Sequence, residues 1–164
     1  MSLQPEEQKN ARRKAMRLLE HMDRTERGLT EKLTQAGFSP EAVSDALEYV
    51  KSYGYIDDSR YARTYIAYRM DSKSRQKILQ ELAGKGVDRQ TALEAWEEEA
   101  GIHQPDETEL LKKTIEKKYK PGTALDDGQM RRLCGYLARR GFRQGDIFRV
   151  LEELEISRNT GDFF

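Results

Sequence analysis

The chain is short of the residues on which most catalysis and cross-linking depend. It has one cysteine, Cys134, so no disulfide can form within it, and a lone thiol suits a reducing compartment. Its two histidines, His21 and His103, lie far apart, which excludes a multi-histidine metal site and makes surface positions the simpler expectation. There is no Gly-x-x-x-x-Gly-Lys-Ser/Thr loop, no Gly-x-Ser-x-Gly elbow and no Cys-x-x-Cys. Asp57-Asp58 is the one acidic pair that suggests a metal, and helix capping explains it more simply. No enzyme activity and no cofactor are therefore expected. No run of about 18 apolar residues offers a membrane span, and no charged-then-apolar leader opens the chain, so a cytoplasmic location is expected. Strand signals are missing too, since no stretch alternates polar and apolar residues for long. An excess of either charge is also lacking: 29 Lys and Arg balance 29 Asp and Glu, which argues against a chain living mainly by tight, independent DNA binding.

What the sequence does have is a recurring phrase. Leu33-Thr-Gln-Ala-Gly37-Phe38, Leu82-Ala-Gly-Lys-Gly86-Val87 and Leu137-Ala-Arg-Arg-Gly141-Phe142 share one spacing. With the glycine at C′ in the left-handed conformation, the leucine is C3 and the following apolar residue is C″, the pair that meets in a Schellman cap. Val50-Lys-Ser-Tyr-Gly54-Tyr55 repeats the spacing a fourth time. Apolar residues recur around the phrase: Leu29, Ile78 and Leu133 four positions before the leucine, Val43, Ala92 and Ile147 six after the glycine, and Leu47, Trp96 and Leu151 ten after it. A further amphipathic stretch precedes each pair, at Ala11–Met22 with Leu18 and Leu19, Ser59–Met70 with Tyr61, Ala62, Tyr65 and Ile66, and Asp106–Tyr119 with Leu110, Leu111 and Ile115.

These periods predict an all-α fold, an elongated array of three tandem three-helix repeats that resemble helix-turn-helix units. The repeats are placed at 1–55, 56–103 and 104–156, with a frayed tail at 157–164 in which Phe163 and Phe164 are free to dock. The spacing from Gly86 to Gly141 is six residues longer than that from Gly37 to Gly86, and the surplus falls in the Lys120–Leu125 loop. Start signals agree: Ser39-Pro40, Asp57-Asp58, and capping boxes at Asp106-Glu-Thr-Glu109 and Asp126-Asp-Gly-Gln129. Cys134, beside Leu133 and Leu137, reads as a small core residue, and Tyr61, Tyr65 and Tyr68 as a packing seam. Tyr53, Tyr55, Tyr61, Tyr65 and Tyr68 are all able to stack on bases, although the helical spacing of the last three favours the packing seam between units.

Charge is balanced in total but sorted along the chain. Arg131, Arg132, Arg139, Arg140 and Arg143 have no acid between them, Lys112 to Lys120 faces only Glu116, and Lys73, Arg75, Lys77, Lys85 and Arg89 form a third basic run. Glu94 to Glu109 carries seven acids and no lysine or arginine, and reads as an acidic linker. The arginine stretch best fits a polyanion, because guanidinium groups bind phosphate bidentately.

Gly54-Tyr55-Ile56-Asp57-Asp58, followed by Tyr61-Ala62, resembles the signature of the RecX regulatory proteins. Arg75 to Val87, Lys117-Lys118-Tyr119 and Tyr136 to Phe142 are similar to phrases of that family's second and third units, so the resemblance runs from about Ala11 to Leu154. One departure is Met70-Asp-Ser-Lys-Ser74, where many relatives carry glycines. The resemblance implies a bacterial cytoplasmic protein, expected as a monomer, that binds RecA and its filament on single-stranded DNA. It implies restraint of RecA ATPase, strand-exchange and co-protease activity in DNA repair and the SOS response. Under it, candidate RecA or DNA contacts are Arg60, Arg63, Arg69, Lys73, Arg75, Lys77, Lys85, Arg89, Arg131, Arg132, Arg139, Arg140 and Arg143, and Gly37, Gly54, Tyr55, Asp57, Asp58, Tyr61, Ala62, Gly86 and Gly141 carry the family pattern. Two other readings stand beside it. One is direct DNA reading by helix-turn-helix modules, with Arg89 or Arg143 at the start of a recognition helix. The other is a pure protein adaptor.

Overall fold

The computed structural model describes residues 3–159. Its helices are α1 Pro5–His21, α2 Glu26–Gln35, α3 Pro40–Ser52, α4 Asp58–Arg69, α5 Arg75–Gly84, α6 Arg89–His103, α7 Glu107–Glu116, α8 Asp127–Arg139 and α9 Gln144–Glu153. Two strands of two residues each, β1 Ala124–Leu125 and β2 Ser157–Arg158, pair in parallel. The fold is all-α, three helices to a repeat. The docking expected of Phe163 and Phe164 lies outside the described residues.

All four glycine caps form. Gly37, Gly54, Gly86 and Gly141 have φ of 94, 72, 92 and 92°. In each, the C″ amide donates to the C3 carbonyl, as in Phe38 N–H to Leu33 O at 3.3 Å and Tyr55 N–H to Val50 O at 3.0 Å. A fifth cap of this kind ends α9, where Glu155 holds φ of 56° and Ile156 N–H reaches Leu151 O at 2.9 Å. Its apolar spacing matches Val50–Tyr55, but no glycine marks it.

The chain gathers into two compact units, Met1–Ile66 with Glu81–Glu99, and Ala67–Gln80 with Ala100–Phe164. In the first, α1 and α3 lie side by side over a core of Ala11, Ala15, Leu29, Leu33, Ala42, Val43, Ala46, Val50 and Ile56. The first helix begins at Pro5, six residues before the expected start at Ala11. Proline at N1 and Glu6 and Glu7 in the first turn favour that start, and Glu7 accepts from the Ser39 hydroxyl at 2.7 Å. The central buried positions of α1 are Ala11 and Ala15, while Leu18 and Leu19 sit half-buried at the margin. Arg12 forks onto Asp45, with contacts of 2.8 and 2.9 Å. That guanidinium holds the Asp45 carboxyl below the usual aspartate range.

The turn between α5 and α6 seats on the start of α2. Thr25, the N-cap of α2, accepts from Gly28 N–H and donates its hydroxyl proton to Lys85 O at 2.7 Å. A Cβ on Gly86 would fall 2.6 Å from Arg27 Cβ. Tyr65 is buried in this unit, its hydroxyl donating to Glu81 at 2.7 Å, and Tyr61 stacks on it with ring centres 6.1 Å apart. Both partners lie in the second repeat, so these contacts pack that repeat internally, and Tyr68, in the second unit, is 80% exposed and packs no seam.

The second unit has its core among Leu111, Ile115, Leu125, Met130, Leu133, Leu137, Phe142, Ile147, Val150, Leu151, Leu154 and Ile156. Here the α8–α9 turn seats on the start of α5. Ser74 accepts from Lys77 N–H, capping α5, and its hydroxyl donates to Arg140 O at 3.1 Å. A Cβ on Gly141 would fall 2.2 Å from Ser74 Oγ and 2.9 Å from the Lys77 backbone nitrogen. The six surplus residues of the third repeat turn at Gly122 and then form β1, with Leu125 fully buried. Ser157 and Arg158 pair with β1 and so are not frayed. This corrects the reading that no strand exists: pairs of residues are too short to show an alternating pattern. The acidic stretch is corrected as well, because Glu94 to Glu99 belong to α6, and only Gln104–Asp106 separate α6 from α7. Asp126 and Gln129 form the expected capping box. At α7 only the Asp106 half is present, accepting from Thr108 and Glu109 N–H groups.

Candidate interaction surfaces

The signature Gly54–Asp58 resolves into separate duties. Gly54 supplies the left-handed turn, and Ile56 is 6% exposed in the core of the first unit. Asp57 caps α4 by accepting from Arg60 N–H at 3.1 Å. Asp58 accepts from Glu26 N–H at 2.9 Å, tying the start of α4 to the start of α2. Burial pushes the Asp58 carboxyl up, and the Glu26 hydrogen bond opposes it. Ala62 is fully buried. The Tyr55 ring is 46% exposed.

The basic candidates divide into committed and uncommitted side chains. In the first unit Arg60 donates to Gly54 O at 3.0 Å, Arg63 pairs with Glu98 at 3.6 Å, and Lys85 Nζ lies 5.7 Å from the centre of the Tyr65 ring. Arg89 is exposed at the first position of α6. In the second unit Lys73 and Lys77 are half-buried near the junction, with Arg69 just before them, and Arg75 N–H donates to Glu107 at 2.6 Å. Arg140 is committed inward: its guanidinium carbon is 4.5 Å from the Tyr136 ring centre, and Nη1 donates to Ser72 O at 3.1 Å. Lys118 Nζ lies over the same ring at 4.1 Å.

Arg131, Arg132 and Arg139 remain, exposed on one side of α8 with Gly128 around an open depression of about 410 Å³. No acid pairs with them among the described residues. Gly128 and Gly135 explain their placement: a Cβ at either site would come within 3.2 Å of Nη1 of Arg132 or Arg139 respectively. Glycine inside a helix costs about 1 kcal/mol relative to alanine, and here it leaves room for guanidinium groups to lie along the helix. Arg143, the N-cap residue of α9, is exposed and makes no side-chain cap bond. The sequence groups these arginines in one run, and the structure separates Arg140 from the others.

Among the described residues no group of three or more His, Cys, Asp and Glu side chains is arranged to hold a metal ion. His21 and His103 are both exposed, and Cys134, half-buried 3.9 Å from the Met130 sulfur, has its thiol pushed up by burial. No described helix is long and apolar enough to cross a membrane.

A further surface lies on the first unit. Tyr49 and Tyr53 meet edge to face at 5.1 Å, and Tyr53 and Tyr55 stack at 5.7 Å with 17° between their planes. The available signal was the four-residue spacing of Tyr49 and Tyr53 on α3.

Residues 11–49, 57–95 and 105–151 match, in order, the first, second and third three-helix domains of RecX. The chain is 33% identical over 146 residues to the regulatory protein RecX of Caldanaerobacter subterraneus subsp. tengcongensis, covering 88% of this chain and 71% of that one. It is 34% identical over 143 residues to the Trichlorobacter lovleyi protein of the same name, covering 85% and 91%. The crystal structure of RecX from Lactobacillus salivarius superposes with a TM-score of 0.69 at 20% identity, covering 93% of this chain and 99% of that one, which speaks to the fold. With three domains matched in sequence and in order, the chain belongs to the RecX family of regulatory proteins.

Proposed function

We propose that this chain is a cytoplasmic, non-catalytic modulator that binds RecA on single-stranded DNA and restrains its recombinase, ATPase and co-protease activities. Family membership supports a regulatory role. The observation that carries the nucleic-acid half is the trio Arg131, Arg132 and Arg139, three exposed guanidinium groups without acid partners in a protein of zero net charge. They lie along α8, the middle helix of its repeat, rather than at the start of a recognition helix. That arrangement favours phosphate contacts over base reading by a helix-turn-helix.

The deciding experiment is single-stranded-DNA-dependent ATP hydrolysis by RecA of the same organism, titrated with this protein at fixed salt. Inhibition at less than one molecule per RecA protomer is expected, and absence of inhibition in excess overturns the reading. Changing Arg131, Arg132 and Arg139 to Gln should weaken inhibition and lower the salt slope of binding by up to about 2, about 0.7 for each single-strand phosphate that is no longer neutralised. An adaptor that never touches nucleic acid would keep full inhibition in that variant.

A further inference from the structure

The chain contains five caps of one geometry, and their C″ residues can be compared. Val87, Phe142 and Ile156 are 4, 6 and 3% exposed, and Phe38 is half-buried against the first core. An apolar C″ residue normally folds back onto its own helix, as these do. Tyr55 is the exception, 46% exposed, and its ring lies on Tyr53, itself 60% exposed. Two flat aromatic faces are thus held parallel in water. Their backbone is fixed: Gly54 N–H reaches Lys51 O at 2.9 Å, Tyr55 N–H reaches Val50 O at 3.0 Å, and Arg60 braces Gly54 O.

The surroundings indicate what these faces meet. Among the described residues of the first unit the one other exposed large hydrophobic is Met22, at the end of α1, so the exposed apolar surface at this cap is aromatic rather than aliphatic. Cations lie at Tyr49, whose ring meets Tyr53 edge to face, and at the Gly54 carbonyl. Arg60 lies beside Gly54, Arg12 stands 4.6 Å from the Tyr49 ring centre, and Lys9 borders an open depression of about 390 Å³ shared with Arg12 and Tyr49. Glu48 and Asp57 are the exposed acids nearby in sequence, and Asp57 is engaged in capping α4. Stacked rings beside cations that reach a backbone are the arrangement used for unpaired bases, since any base offers a π face.

We propose that Tyr53 and Tyr55 form a stacking platform for an unpaired base of a single DNA strand, with Lys9, on the depression it shares with Tyr49, as the cation for a phosphate further along the strand. This deepens the reading of the chain as a partner of filament DNA, and assigns the first repeat a base-stacking role distinct from the arginine surface on α8.

The test uses the full chain without RecA. Fluorescence anisotropy compares a labelled oligothymidine with an abasic strand of equal length at one salt concentration. The wild-type protein should bind the oligothymidine about tenfold more tightly, the effect of one stacked base. Tyr53→Leu combined with Tyr55→Leu should erase that preference and leave the abasic affinity unchanged, whereas Tyr55→Trp should keep it. Equal wild-type affinity for the two strands overturns the platform and needs no variant to fold. A leucine variant that keeps the preference also overturns it, as does one that binds oligothymidine normally yet no longer inhibits RecA, because the rings would then serve a protein surface. Since RecA is absent from the binding assay, loss of the platform and loss of the RecA reading are separate results.

Discussion

The turn of the first repeat and the turns of the second and third are the same object locally, placed in different surroundings. Gly37 has φ of 94°, and Gly86 and Gly141 have 92°, with the same pair of cap hydrogen bonds. Around Gly37 nothing lies within 4 Å of where a Cβ would sit, whereas at Gly86 and Gly141 that position is already filled by the preceding repeat. A cap can therefore be only a helix stop, or it can also be the face by which one repeat seats on another. The second role adds a requirement for the absence of a side chain to the requirement for positive φ.

Truncations at the shared C3 position should not distinguish the turns. Leu33, Leu82 and Leu137 are all fully buried, and each change to Ala should cost about 2–5 kcal/mol in denaturant unfolding. An unchanged midpoint for any of them would break the assigned register. The glycines should then separate the turns. Gly37→Ala should cost about 1–2 kcal/mol, the penalty of a Cβ in the left-handed region. Gly86→Ala and Gly141→Ala should cost about 1–3 kcal/mol more, from overpacking against Arg27 and Lys77. Equal losses at Gly37 and Gly141 would remove the junction role.

The junction hydroxyls give a smaller effect. Thr25→Ala and Ser74→Ala should each cost about 1–2 kcal/mol, since each change removes a helix cap and a bond to the next repeat's carbonyl. Ser39→Ala removes a cap and a bond to Glu7 inside the first repeat, so it should cost about as much without touching a junction. The smallest effect is on pH dependence within the first repeat. Asp45 titrates lower in the folded chain than unfolded, so its stabilisation is present above the ordinary aspartate pKa of about 4 and is lost as pH falls through the folded value. Asp58 is shifted the other way, and its contribution favours folding at lower pH. Asp45→Asn should therefore flatten the acid side of the stability profile, and a profile as steep as wild type would show that the Arg12–Asp45 pair contributes nothing there.

The features legible in the sequence were those written within a few residues. A cap occupies six consecutive positions, so Leu33–Phe38 and its copies announced themselves, and apolar periods placed Leu29, Ile78 and Leu133 in cores. The junctions were not legible, because Thr25 and Lys85 are 60 residues apart and a threonine before a helix already has a local explanation. Glu155 gave no signal because a non-glycine residue in the left-handed region has no compositional mark. The basic runs were visible as charge, but which cations are spent internally depends on tertiary neighbours: Tyr136 for Arg140, Glu98 for Arg63. Tyr68 shared its spacing with Tyr61 and Tyr65 and nonetheless faces water.

The N-cap of the middle helix has one further consequence, for self-association. A contact in which one face of a repeat seats on a different face of the next is head-to-tail, and head-to-tail contacts between identical units propagate into fibres unless something stops them. Thr25 and Ser74 each offer a hydroxyl proton to the incoming turn. The matching cap in the third repeat is Asp126, whose ionised carboxylate can only accept, and it is already engaged by Gln129 N–H at 2.7 Å. A side chain without a hydroxyl proton does not repeat the hydroxyl-to-carbonyl bond of the two junctions, so the third repeat's N-cap differs from the other two in the one group that receives a turn.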